Sequence, residues 1–175
     1  SERPAYFSDD DVSNIISYFH SINSSWMADM CLLAVKTGMR KGEILALGDG
    51  RAYISDDGLW IYLPAAVTKT SKDRYVPIKH PDANAAARRL VDTLADNYTR
   101  KKFEQRWDKC KREYGRNNEH YVFHLLRHTA ISRMANDLDI NTAVIAEVVG
   151  HSNVSTTQRY VHAKDSKLLE ISSMM

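Results

Sequence analysis

Apolar positions recur with helical spacing over most of this chain, and two short alternating stretches interrupt them early. Ser8 followed by Asp9, Asp10 and Asp11 reads as an N-cap with acids in the first helical turn. Val12, Ile15, Ile16 and Phe19 then repeat at helical intervals. Trp26, Met30, Leu33 and Ala34 mark one side of a second helix over Ser25–Thr37, which Gly38 ends. A short third helix begins near Arg40 and carries Ile44, Leu45 and Leu47.

The period then changes. Residues 52–55 and 59–63 flank Asp56-Asp57-Gly58, which is a hairpin signal. Residues 66–70 and 74–78 flank Ser71-Lys72-Asp73, predicting a second tight turn, with Pro77 at a strand end or on an edge. Helical spacing returns at Pro81, which suits a first helical position. Helices are predicted over 83–97, over 99–114 with Phe103, Trp107, Cys110 and Tyr114 as the buried stripe, over 124–136 and over Thr142–Val149. A polar loop is predicted over 115–121. Gly150 closes the helix over Thr142–Val149, a short helix over 154–162 carries Tyr160, and the tail from 164 to 175 presents Leu168, Leu169 and Ile171. The fold class that follows is α+β, mainly α, with a small antiparallel sheet of three or four strands inserted early.

A chain of 175 residues is long enough to bury a real core in one domain. Its 43% apolar and 26% charged residues exclude a disordered composition. No apolar run approaches the roughly 20 residues of a membrane span, and no apolar segment of a signal peptide follows the polar Ser1-Glu2-Arg3-Pro4. Cys31 and Cys110 form no close-spaced motif, so a reduced, cytoplasmic chain is the expectation. The net charge of +2 says little by itself. Basic residues nevertheless gather at 36–41, 69–74, 88–89 and 100–116, and several such runs around one site point to a phosphate-facing surface.

Candidate chemistry sits at five places. Arg40 lies in Thr37-Gly38-Met39-Arg40-Lys41-Gly42-Glu43, at a helix start where backbone amides favour an anion. Glu43 is three residues on and shares its helix face, as an ion-pair partner would. His124 and Arg127 are likewise three apart, which brings a proton acceptor and a fixed cation to one side of a helix. Gly150-His151 follows, and Tyr160 lies nine residues further. Taken singly, each has a plainer reading: Arg40 as a surface residue, Arg127 as a helix ion-pair partner, His124 as a capping or core histidine, His151 as a C-capping histidine, and Tyr160, one of nine tyrosines, as a packing residue. His128, four residues from His124, raises the question of zinc. The metalloprotease pattern requires Glu after the first His, and Leu125 stands there.

Taken together, the order and context of these residues resemble the tyrosine recombinase (phage integrase) family, over a stretch from about Phe7 to Ala163. The resembling segments are Thr37-Gly38-Met39-Arg40-Lys41-Gly42-Glu43, His124-Leu125-Leu126-Arg127-His128, Val148-Val149-Gly150-His151-Ser152 and Thr156-Thr157-Gln158-Arg159-Tyr160-Val161-His162. The segment from Val67 to Ile78 resembles the hairpin that carries the family's general-acid lysine. The resemblance implies the helical catalytic domain of the DNA breaking-rejoining type. Arg40 and Arg127 would clamp a phosphodiester, His124 would accept a proton, His151 would hold a non-bridging oxygen, and Tyr160 would be the nucleophile. Lys69 would protonate the leaving oxygen, with Lys72 as the rival. Glu43 and His128 would support the site. Lys41, Lys72, Arg74 and Arg159 are basic neighbours expected to contact DNA.

The implied activity is site-specific recombination through a covalent 3′-phosphotyrosine, for integration or excision of a mobile element, with neither metal nor cofactor. The implied partner is double-stranded DNA, bound as a homotetramer by the full-length protein, with the isolated domain a monomer. Residues 1–7 are expected to end an interdomain linker, and residues 8–175 to form the catalytic domain. The N-terminal core-binding domain of the family is not in this sequence. Other readings are DNA relaxation of the type IB topoisomerase kind, or a DNA-binding regulator that has kept the fold without catalysis. The segment Leu47-Gly48-Asp49-Gly50 departs from the family pattern after the third helix.

Overall fold

A computed structural model of the chain describes residues 6–116, 118–150 and 161–175. The first helix, α1 (Asp9–Ser21), starts as its sequence requires: Ser8 Oγ accepts from Asp11 N–H at 3.0 Å, and the Asp11 carboxylate accepts from Ser8 N–H at 2.9 Å. The second helix, α2 (Ser25–Thr37), is apolar on nearly every side and forms the centre of the molecule. It packs against α1, α3 (Lys41–Gly48), α4 (Pro81–Asn97) and α6 (Leu125–Ser132). Its one buried acid, Asp29, is met by a two-pronged contact from Arg89 of α4, with N–O distances of 2.8 and 3.0 Å. Phe19, Met27, Met30, Leu33, Ile44 and Leu90 are fully buried around this axis. Truncating Phe19 to Ala would cost about 3–5 kcal/mol.

Between α3 and α4 lies a three-stranded antiparallel sheet in the order β1 (Tyr53–Ile54), β2 (Trp60–Leu63), β3 (Arg74–Pro77). Tyr53 pairs with Tyr62, and Leu63 with Arg74. Pro77 ends the edge strand β3, where its missing N–H costs no ladder bond. The fourth strand, expected over residues 66–70, does not form. A 3₁₀ turn, Ala65–Val67, follows Pro64 instead. Asp73 Oδ1 accepts from Ala65 N–H at 2.8 Å, and Thr68 Oγ1 donates to Lys72 O at 2.8 Å. These local side-chain bonds satisfy the backbone and replace strand pairing, so residues 64–73 form one cinched loop between β2 and β3.

Helix α5 (Arg100–Cys110) buries Phe103, Trp107 and Cys110 as expected, but Tyr114 does not join that stripe. A π-helical turn, Lys111–Gly115, widens the helix there and rotates Tyr114 outward, leaving it 39% exposed with its ring edge-on to Tyr18. The α5 stripe also places the next functional element. Trp107 Nε1 donates to Tyr121 O at 3.0 Å, and Phe123 packs edge-on against Phe103 and Trp107. These contacts pin the entry to α6, where His124 stands. The helix expected over 124–136 is α6 followed by a second π-helical turn, Arg133–Asp137.

Helix α7 (Thr142–Val149) is capped by Asn141, whose side chain accepts from Ala143 N–H at 2.7 Å. The chain's last helix, α8 (Val161–Met174), begins earlier than the tail helix expected from 164. Leu168, Ile171 and Met175 join Trp60, Ala130, Met134, Ile145, Val148 and Val149 in a second apolar cluster. The expected helix over 154–162 lies, up to Tyr160, outside the described residues, as do His151, Arg159 and Tyr160 themselves. No helix among the described residues is long and apolar enough to cross a membrane.

Candidate active site

Two helices end in left-handed glycines, and carbonyls from the two ends, Gly38 O and Val149 O, meet at one side chain. Gly38 (φ +74°) caps α2, and Gly150 (φ +75°) caps α7. Both need glycine twice over: for the positive φ and for space. A Cβ on Gly38 would lie 2.7 Å from Val149 Cγ1, and one on Gly150 would lie 2.4 Å from Arg74 Cδ. The close approach aims the free carbonyls of two helix C-termini at one spot, which is a setting for cations.

Arg127 fills it. Its Nη1 donates to Gly38 O and, at 3.0 Å, to Val149 O, and the side chain is buried. Its Nη2 has no hydrogen-bond partner among the described residues. One nitrogen thus anchors the guanidinium, while the other is buried without a hydrogen bond among the described residues. Burial pushes the Arg127 pKa down to about 10, with Arg40 and Arg74 adding to the effect and Glu43 opposing it. The group remains a cation at neutral pH.

Arg40 stands at the N-cap of α3, immediately after the Gly38 turn, with its side chain 17% exposed. Its backbone N–H donates to Glu43 Oε1 at 3.0 Å. This is half of a capping box, since an arginine side chain has no acceptor to complete it. Glu43 is buried, and Oε1 also receives Arg74 Nη2 at 2.6 Å. Its Oε2 has no hydrogen-bond partner among the described residues, and Arg40 Nη1 lies 3.8 Å away.

His124 is exposed at the mouth of α6, with its ring edge-on to His128 at 5.0 Å. Partial burial lowers its pKa from the ordinary value, and the charges of His128, Arg127, Arg40 and Lys69 lower it further. At neutral pH the imidazole is therefore free to accept a proton. Lys69 and Lys72 are exposed on the cinched loop between β2 and β3.

The structure thus brings Arg40, Glu43, His124, Arg127 and His128 together, while Lys69 bears on His124 only through its charge. Two of the residues expected to touch DNA are placed differently. Arg74 is turned inward, 9% exposed and paired with Glu43 and Val148 O, so it is not the exposed phosphate contact expected from its loop. Its inward direction was readable in the alternation of β3, where Tyr75 is exposed and Val76 is buried on the face that Arg74 shares. Lys41 lays its ammonium over the Phe103 ring, 3.9 Å from the centroid, with Tyr98 beside it. The part of Gly38 as an acceptor for Arg127 had no signal in the sequence beyond helix termination.

A family model described as "Phage integrase family" matches residues 5–167. The chain belongs to that family. It is 32% identical over 143 residues to a shufflon-specific DNA recombinase of Escherichia coli, covering 78% of this chain and 35% of that protein. It is 25% identical to the tyrosine recombinase XerD of Rickettsia bellii, covering 96% of this chain and 63% of that protein. The chain therefore spans only part of the length of these curated relatives. Among solved structures, the XerH site-specific recombinase bound to a palindromic difH substrate in a post-cleavage complex aligns with a TM-score of 0.59 at 16% identity, over 99% of this chain and 54% of that one. That likeness supports the fold: the catalytic-domain architecture of the tyrosine recombinases, mostly helical with a small antiparallel three-stranded sheet.

Proposed function

We propose that this chain is the catalytic domain of a site-specific DNA recombinase that breaks and rejoins double-stranded DNA through a 3′-phosphotyrosine. The observation that carries the reading is the pair of arginines at the α2–α3 and α2–α7 junctions. Arg127 is anchored by two helix-terminal carbonyls with Nη2 uncommitted, and Arg40 stands beside it. An anchored guanidinium with one nitrogen unsatisfied among the described residues, with a second arginine beside it, suits a phosphodiester whose non-bridging oxygens gain charge in the transition state.

In the reaction, the Tyr160 oxygen attacks phosphorus and its proton passes to His124. The bond from phosphorus to the 5′ oxygen breaks, and Lys69 gives that oxygen a proton. Arg40, Arg127 and His151 hold the charge on the non-bridging oxygens. The reverse attack by a 5′-hydroxyl, on the same or an exchanged strand, restores the phosphodiester and frees Tyr160, so the bond energy is conserved without a cofactor. Glu43 fixes the start of α3 through the Arg40 backbone N–H, and His128 supports His124.

Residues 8–175 form the catalytic domain in this reading, residues 1–7 end a linker, and a DNA-clamping domain precedes them. The partial coverage of the longer relatives supports that arrangement. The biological task is integration or excision of a mobile element, carried out by a homotetramer on DNA. The test is incubation with nicked duplexes tiling the DNA that flanks the gene, in EDTA, with SDS-stable adduct as the readout. An adduct with wild type and none with Tyr160→Phe supports the reading. No adduct, even with the preceding domain restored, would favour a DNA-binding regulator on this fold.

A further inference from the structure

Arg74 has no part in the phosphate clamp, yet it touches the acid beside Arg40. It is the first residue of β3, directly after the loop that carries Lys69 and Lys72. One guanidinium nitrogen, Nη1, donates to Val148 O at 3.2 Å in the last turn of α7. The other, Nη2, reaches Glu43 Oε1 at 2.6 Å. The missing Cβ of Gly150 makes room for the Arg74 stem. Its place is therefore fixed from three sides: by β3, by the α7 C-terminus and by Glu43.

The consequence lies in what Glu43 does not do. Its Oε1 is held by Arg74 and by the Arg40 backbone N–H. That orientation leaves Oε2 with Arg40 Nη1 at 3.8 Å, beyond hydrogen-bond length, and without another hydrogen bond among the described residues. A buried carboxylate beside two arginines would otherwise close on the nearer free guanidinium in a two-pronged contact. Arg40 would then be withdrawn from a substrate phosphate.

We propose that Arg74 is a positioning residue: by occupying Glu43 from the α7 side, it keeps the Arg40 guanidinium free for the DNA phosphate. A lysine cannot substitute, because a single ammonium on a flexible stem does not span Val148 O and Glu43 with a rigid fork. The inference rests on the phosphodiester reading given above and adds to it a residue that sequence alone places on the DNA surface.

The test is a double-mutant cycle between Arg74 and Glu43, read in two ways. The first readout is the single-turnover rate of adduct formation on a nicked duplex that wild type cleaves, with DNA affinity measured in parallel. Arg74→Met should slow cleavage about tenfold or more with little change in affinity. In the Glu43→Gln background, where no carboxylate competes for Arg40, the same change should have almost no effect. Equal losses in both backgrounds, or no loss in either, would overturn the proposal.

The second readout needs no activity: ¹⁵N–¹H spectra of the Arg40 side chain in the apo protein. The Arg40 Nε–H should become slow to exchange in Arg74→Met and return to the wild-type rate in the double variant. Unchanged exchange in all variants would overturn the proposal even if cleavage were never detected. An absent wild-type adduct would sink the recombinase reading separately. Should Arg74→Met fail to fold, the double variant, which buries no lone carboxylate, must fold and match Glu43→Gln in rate and exchange; a further drop there would count against the proposal.

Discussion

Arg74 Nη2 lies 2.6 Å from Glu43 Oε1, with both side chains buried where β3, α3 and the end of α7 meet. A buried ion pair of this kind is costly to break from one side, because the surviving charge is left without a partner. Glu43→Ala should lower stability by about 3–5 kcal/mol. Urea unfolding checks it. A loss of the size typical of exposed pairs, under about 1 kcal/mol, would mean that water reaches the junction.

Gly38 is expected to be intolerant of a single methyl group. Gly38→Ala imposes a left-handed conformation on an L-residue and drives a Cβ toward Val149 Cγ1 at 2.7 Å. The strain alone is worth about 1–3 kcal/mol. Because Gly38 O and Val149 O together hold Arg127, the variant should also reduce DNA cleavage by more than its thermal shift explains. Thermal melts paired with cleavage rates at a permissive temperature separate the two effects. Gly42 is the control, since a Cβ there meets nothing within 4 Å.

The pH dependence follows from His124. Its pKa is lowered by partial burial first and by the neighbouring cations after it. A depressed histidine is held neutral by the fold. Above about pH 6.5 the unfolded chain is also neutral there, and His124 adds no pH dependence to stability. As pH falls below that, the unfolded chain takes up the proton first and stability declines, until the folded imidazole is protonated too. An NMR titration should put its midpoint below about 6.5. Lys69→Met should raise that midpoint, and the acid limb of the cleavage rate should follow it. A midpoint at or above the ordinary value in wild type would contradict the electrostatic description of the site.

Much of this architecture was legible because local signals and burial agree. Ser8 with Asp11, Pro81, and Gly38 and Gly150 mark helix ends by capping chemistry that needs no tertiary context. The spacing of Phe103, Trp107 and Cys110 likewise exposes the buried face of α5. The failures have a common cause in bonds that local pattern does not record. Residues 66–70 carry strand-forming Val67 and Thr68, but Asp73 and Thr68 tie them into a loop. Tyr114 sits at the right interval for the α5 stripe, and a π-helical turn moves it out of phase.

The site divides the same way. Arg40, His124 and Arg127 are found by their order along the chain. That Arg127 is anchored by two helix ends, and that Arg74 faces inward, depend on where α2 and α7 stop relative to each other. His151 and Tyr160 lie outside the described residues, so their place in the site rests on the sequence.

The measurement that bears most directly on the central claim is the chemical identity of the protein–DNA link. The adduct formed in EDTA on a nicked duplex should be digested with trypsin and nuclease, and the nucleotide-bearing peptide sequenced by mass spectrometry. Cleavage after Arg159 and Lys164 yields Tyr160-Val161-His162-Ala163-Lys164. The nucleotide should lie on this peptide, joined through the Tyr160 oxygen to a 3′-phosphate. A nucleotide on another tyrosine, a link through a 5′-phosphate, or DNA cut with no protein attached would contradict it.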